Sequence, residues 1–197
     1  MTGNDDRSIA RYTFAADLGA LVKHIRQGSA LRARGPMTAD MALRPVMEAD
    51  RPKIRRWAQV INSSEFMTRF EPQPGRYLAW DIVLFEGREV GVIWLELADI
   101  QSEASLGVML AAADLTGRGI GRRAILLMIA KAEQLLSFNA IVLNVREANT
   151  RAIACYVQCG FTLETRSLRN TPELEYAVWS MRRVLVQGVG KRVIRGS

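Results

Sequence analysis

The chain has 197 residues, a length that suits one domain with an appendage and is short for two independent cores. Hydrophobic residues make up 49% and charged residues 24%, a globular balance that excludes a disordered or low-complexity chain. The formal net charge of +7 favours anionic ligands such as nucleotide phosphates, nucleic acid or lipid headgroups, without choosing among them.

No apolar run reaches the roughly 18 residues of a membrane span, and Asn4, Asp5 and Asp6 stand where a basic leader would begin. A cytoplasmic protein with no membrane partner is expected. Cys155 and Cys159 lie four apart without metal-ligand company and read as small packing residues. His24 is the sole histidine, which removes histidine-based triads and zinc sites unless His24 itself serves, and no metal is expected.

In chain order, residues 1–8 are polar, and Phe14, Leu18, Leu21, Val22 and Ile25 then recur at helical spacing. Gly28, Gly35 and Pro36 mark a linker. Residues 1–36 therefore read as a helical appendage, 37–186 as the main domain and 187–197 as a basic tail containing Lys191 and Arg192. Met41 to Val46 predicts a strand. Asp50 before Pro52 predicts a capped helix carrying Ile54, Trp57, Ala58 and Ile61 on one face, with a short helix from Ser64 to Phe70 after it. Tyr77 to Phe85 and Val90 to Leu97 form a hairpin pattern about Glu86, Gly87, Arg88 and Glu89, and Leu106 to Ala111 predicts the next strand.

Thr116-Gly-Arg-Gly-Ile-Gly121 follows, and then Ile125, Leu127, Met128, Ile129, Leu135 and Leu136 give the broad apolar coverage of a helix lying on a sheet. Ala140 to Val145 predicts a strand, and Asn149 to Gln158 a helix capped by Gly160. Strands near Phe161 to Leu168 and Leu174 to Val184 close the domain. The order is that of a mixed α/β fold. Local helices cannot cover both sheet faces, so the N-terminal helix is expected to cover exposed apolar surface or to meet a second subunit in a homodimer.

Between a strand and a helix, Gly117, Gly119 and Gly121 let backbone N–H groups converge on an anion, and the helix N-terminus adds positive partial charge. Arg118, Arg122 and Arg123 bring fixed cations suited to a pyrophosphate. A tight packing turn with solvated arginines has the same composition. Gly119, Gly121 and Ala124 also match the dinucleotide fingerprint, but such a domain usually begins with this turn and builds βαβ units after it, for which little chain remains. A P-loop is excluded because no Gly-Lys-Ser/Thr follows.

Leu115-Thr-Gly-Arg-Gly-Ile-Gly121 resembles the acyl-CoA pyrophosphate loop of the GNAT (GCN5-related) N-acetyltransferases. Asn149, Ala152, Tyr156, Gly160 and Phe161 reproduce, in spacing, a second segment of that family after the strand Ile141 to Val145. The resemblance is strongest over residues 105–162. It implies a mixed, mostly antiparallel GNAT-type sheet flanked by helices, here with an extra N-terminal helix, and acetyl-CoA as co-substrate. Thr116 departs from the Gln or Arg often found there, and a hydroxyl leaves more of the phosphate charge to backbone amides and nearby arginines.

The resemblance further implies that Thr116, Gly117, Arg118, Gly119, Ile120, Gly121 and Arg122 hold the cofactor. It implies that Leu110 and Ala111 offer main-chain groups to the pantetheine arm and thioester carbonyl, and that Asn149 both caps its helix and touches the arm. Tyr156 takes the position associated with protonating the departing thiolate. Many relatives carry a glutamate where Ser105 stands, which leaves Glu96, Asp99 and Glu103 as candidate bases, each also readable as a solvated charge. The implied reaction is direct acetyl transfer to an amine of a protein N-terminus or a small molecule. The alternative is a catalytically weak acyl-CoA-binding regulatory or interaction module. Nucleic-acid binding through the basic surface lacks aromatic interleaving and a recognised motif.

Overall fold

The structure, a computed structural model, describes residues 40–60, 69–100, 102–135, 138–170 and 174–185. The expected N-terminal helix, the linker and the basic tail lie outside these residues. So does most of the expected helix from Ser64 to Phe70, whose last two residues are described and are not helical.

The elements are β1 (Met41–Pro45), a 3-10 turn (Glu48–Asp50), α1 (Arg51–Val60), β2 (Tyr77–Phe85), β3 (Arg88–Leu97) and β4 (Glu103–Leu110). A second 3-10 turn (Ala113–Leu115) leads to α2 (Ile120–Leu135), β5 (Ala140–Arg146), α3 (Thr150–Gln158), β6 (Thr162–Asn170) and β7 (Glu175–Val184). Among the described residues, seven strands form one sheet in the order β1-β2-β3-β4-β5-β7-β6. All neighbours are antiparallel except β4 and β5, which are parallel.

The hairpin between β2 and β3 is tighter than its sequence suggests. Only Glu86 and Gly87 form the turn, both at positive φ (50° and 71°), and Arg88 and Glu89 pair within β3. Two successive left-handed residues match the twist of the flanking strands, so this turn needs no longer loop. Asp50 is likewise more than a helix cap. Its carboxylate accepts the Met47 N–H at 2.9 Å and pairs with Arg44 at 2.7 Å and Lys53 at 2.9 Å, tying β1 to α1. Pro52 sits in the first turn, where its missing donor costs nothing.

Apolar side chains line both sheet faces. On one, Ile120, Ala124, Ile125, Met128, Ile129 and Ala132 of α2 and Ile153 and Val157 of α3 pack on Val83, Ile93, Leu95, Leu106, Leu143 and Met181. On the other, Ile54 and Ala58 of α1 meet Ile82, Val92, Trp94 and Met109. β3 is therefore buried on both faces, which explains its nearly unbroken apolar run. Trp94 lies so close over Gly107 that a Cβ there would stand 2.0 Å from the indole. Among the described residues, no helix is long and apolar enough to cross a membrane.

Candidate functional site

The site is made by two parallel strands that part. β4 and β5 pair only through Glu103, Ala104 and Ser105 against Ala140, Ile141 and Val142, although β4 runs on to Leu110 and β5 to Arg146. Beyond Ser105 they have no ladder partner across the gap. A cavity of about 660 Å³ fills it, walled by Leu106 to Leu110, the glycine turn, Asn144 and Val145 of β5, and one face of α3.

Alternation along β4 decides which of its amides face this cavity. The Ala111 N–H donates to the Val90 carbonyl at 2.9 Å, so Met109 and Gly107, two and four residues back, also direct their amides to β3. The intervening amides of Leu110 and Val108 point to the open side. Leu110 lines the cavity, whereas Ala111 has its amide engaged in the sheet and does not line it.

The turn after β4 is shaped for an anion. Gly117 and Gly119 have φ of 76° and 75°, and a Cβ at Gly121 would meet nothing within 4 Å. Only glycine adopts the first two conformations without strain, and a bare Gly121 leaves room for a ligand at the α2 N-terminus. The Arg123 N–H donates to the Gly119 carbonyl at 3.1 Å as a first helical bond, so the preceding amides remain for a ligand. Thr116, Gly117, Gly119, Gly121 and Arg122 line the cavity.

Three other expected contacts fall outside the cavity wall. Ile120 is fully buried in the core beneath α2, and Arg118 and Arg123 lie over the Phe85 ring, at 6.0 and 4.6 Å from its centroid. A guanidinium on an aromatic face gains cation–π attraction that solvated positions lack, which draws both away from the turn.

From α3 come Asn149, Arg151, Ala152, Cys155 and Tyr156. The Asn149 Oδ1 accepts the Ala152 N–H at 3.1 Å, leaving its NH2 group to donate elsewhere, so cap and ligand contact are compatible. Tyr156 packs edge-on to Phe161 with centroids 5.9 Å apart. Burial, reinforced by the neighbouring Cys155 and Cys159, pushes its phenol above the ordinary value, so it keeps its proton at neutral pH. Cys159 is a buried packing residue as expected, but Cys155 is partly exposed and lines the cavity. Arg151, Asn144 and Cys155 escaped the sequence reading. Helical spacing of three from Ala152 was the signal available for Cys155.

Two of the three candidate bases, Glu96 and Glu103, are not solvated charges. Glu96 and Glu103 are each 4% exposed and face the α1 side of the sheet, opposite α2 and α3. Arg69 pairs with both Glu96 oxygens, and the Gln73 N–H donates to one at 2.8 Å. Burial alone would raise the Glu96 pKa, but these donors outweigh it and hold the carboxyl below its ordinary value. Glu103 pairs with Arg182. In register, Glu96 stands directly across from Ser105, at the edge where β4 leaves β5. Neither glutamate lines the cavity, and Asp99 is an exposed loop residue pairing with Arg76.

Residues 43–161 match the acetyltransferase (GNAT) family. A sequence comparison with curated proteins finds no match. Solved structures share the fold. A spermidine N-acetyltransferase from Vibrio cholerae, in complex with CoA and spermine, superposes with a TM-score of 0.64 at 18% identity, covering 75% of this chain and 97% of that one. A Salmonella typhimurium acetyl transferase that modifies the N-terminal serine of ribosomal protein L7/L12 gives 0.62 at 16%, covering 77% and 98%. The aminoglycoside acetyltransferase AAC(6')-Ib, in complex with coenzyme A, gives 0.61 at 17%, covering 73% and 94%. The chain belongs to the GNAT acetyltransferase family. It is an acetyl-CoA-dependent N-acetyltransferase.

Proposed function

We propose that the chain transfers the acetyl group of acetyl-CoA directly to a primary amine, of a protein N-terminus or a small molecule, within one ternary complex. The observation that carries this reading is the parting of β4 and β5 beside the glycine turn, which sets open strand amides next to an anion-shaped helix start. Acetyl-CoA supplies an activated acetyl group. The turn and Arg122 hold its pyrophosphate, Asn149 steadies the arm, and the Leu110 N–H faces the thioester oxygen. An amide so placed stabilises developing negative charge by about 3 kcal/mol.

Tyr156 donates its retained proton to the departing sulfur. Glu96 is better placed than Glu103 to receive the amine's proton, directly or through water, because it stands level with Ser105 and Glu103 lies two residues further from the gap. Arg69 keeps Glu96 weakly basic, so the neutral fraction of the acceptor amine also governs the rate.

The acceptor's charge is constrained by the same pairs. Glu96 and Glu103 already accept from arginines, and the net charge of +7 repels polycations, so a single-amine acceptor such as a peptide N-terminus suits this face better than a polyamine. A panel of N-terminal peptides, amino acids, polyamines and aminoglycosides, read by acetyl mass gain, tests it. Peptides or monoamines should react best, and preferential acetylation of polyamines would overturn the acceptor assignment.

A further inference from the structure

Thr116 opens the glycine turn with a hydroxyl and no charge, yet a guanidinium occupies its neighbourhood. The Arg151 Nη1 donates to the Thr116 Oγ1 at 2.8 Å, and that hydroxyl in turn donates to the Ala113 carbonyl at 2.6 Å. Arg151 is the second residue of α3, exposed, and part of the cavity wall. Among the described residues, no carboxylate lies within ion-pairing distance of it. Arg118 and Arg123 rest on Phe85, so the guanidiniums of the cavity wall are Arg122 from the first turn of α2 and Arg151 from the first turn of α3.

We propose that Arg151 is a phosphate-binding residue for acetyl-CoA, supplying from α3 the positive charge that position 116 of the glycine turn lacks. The inference rests on the acetyl-CoA reading above. An arginine has five N–H donors, and Thr116 engages one of them, leaving others for phosphate oxygens. The Thr116 tether also fixes the side chain beside the turn before a ligand arrives, which lowers the ordering cost of binding. Its position at a helix N-terminus, where backbone partial charge already favours anions, adds to the same field. The phosphate it grips is either the pyrophosphate or the 3′-phosphate, which share this chemistry.

Calorimetric titration of the full chain with acetyl-CoA tests the assignment. Arg151→Gln should weaken binding about tenfold, the loss expected for one charge-assisted contact at an exposed site. Adding Thr116→Arg to Arg151→Gln should restore most of the affinity, because the charge then returns to the turn by the other route. Repeating the pair with 3′-dephospho-CoA locates the contact. A persistent tenfold difference places Arg151 on the pyrophosphate, and its disappearance places it on the 3′-phosphate. Wild-type affinity in a folded Arg151→Gln protein would overturn the proposal, as would failure of Thr116→Arg to restore binding. A wild-type chain that binds no acetyl-CoA would instead overturn the cofactor reading beneath it.

Discussion

Tyr156 joins two requirements in one side chain: an aromatic body that packs on Phe161 and a hydroxyl that keeps its proton. Tyr156→Phe removes only the second. We expect acetyl-CoA affinity to stay at the wild-type level while turnover falls about 100-fold, the usual contribution of a general acid. Pre-steady-state measurement of thiol release checks this, and an unchanged chemical step would make Tyr156 a packing residue. At this scale the cavity residues legible in the sequence are those carried by a motif with fixed spacing: the three glycines, Asn149 and Tyr156. Arg151 was not legible, because an exposed arginine in the first turn of a helix has the same signature as any solvated charge. Glu96 and Glu103 were legible as carboxylates but not as buried ones, since the arginines that pair with them, Arg69 and Arg182, lie 27 and 79 residues away in sequence.

Two glycines of β4 and its turn make opposite demands, and substitutions separate them. Gly107→Ala would drive a methyl group into the Trp94 indole, whose ring lies beneath α1 with Ile54 and Ala58, so we expect a stability loss of about 3 kcal/mol. Gly121→Ala meets open space and should melt like wild type while weakening acetyl-CoA binding. Denaturant unfolding of both variants decides the matter, and equal stability would mean that Trp94 can move aside at little cost. Strands and helices were largely legible because their apolar periods are strong: α2 buries Ile120, Ala124, Ile125, Met128 and Ile129 as its pattern requires. Their edges were less so. The β2–β3 turn shrank to two residues because Glu86 tolerates a positive φ, a choice that composition does not announce. β4 begins at Glu103 rather than near Leu106 because its first residues pair with β5, a partner more than 30 residues away.

Across the whole molecule, several carboxylates are held below their ordinary values by cations: Asp50 by Arg44, Glu89 by Lys53 and Arg44, and Glu147 by Arg166. Arg69 does the same for Glu96 against the effect of burial. A carboxylate with a depressed folded pKa binds fewer protons folded than unfolded. Its stabilisation is present above the unfolded pKa of about 4 and is lost as pH falls through the folded value. The melting temperature should therefore be level from about pH 7 to 5 and fall below about pH 4, and Asp50→Asn should start lower and fall less steeply. An identical acid-induced fall in that variant would show that the Asp50 pairs contribute nothing. The mixed α/β class and element order were legible in the sequence. The insertion of β7 between β5 and β6, and the parting of β4 from β5, were not, because both arise from long-range pairing that no local pattern encodes. We propose that this parting, closed at one end by the glycine turn, binds acetyl-CoA for transfer to an amine. Parallel measurement of CoA thiol release and acceptor mass gain, in wild type and in Gly121→Glu, tests it most directly. The two signals should match in wild type and vanish in a folded Gly121→Glu protein, whose added carboxylate occupies the phosphate space. Undiminished transfer by Gly121→Glu, or thiol release without an acetylated acceptor, would contradict it.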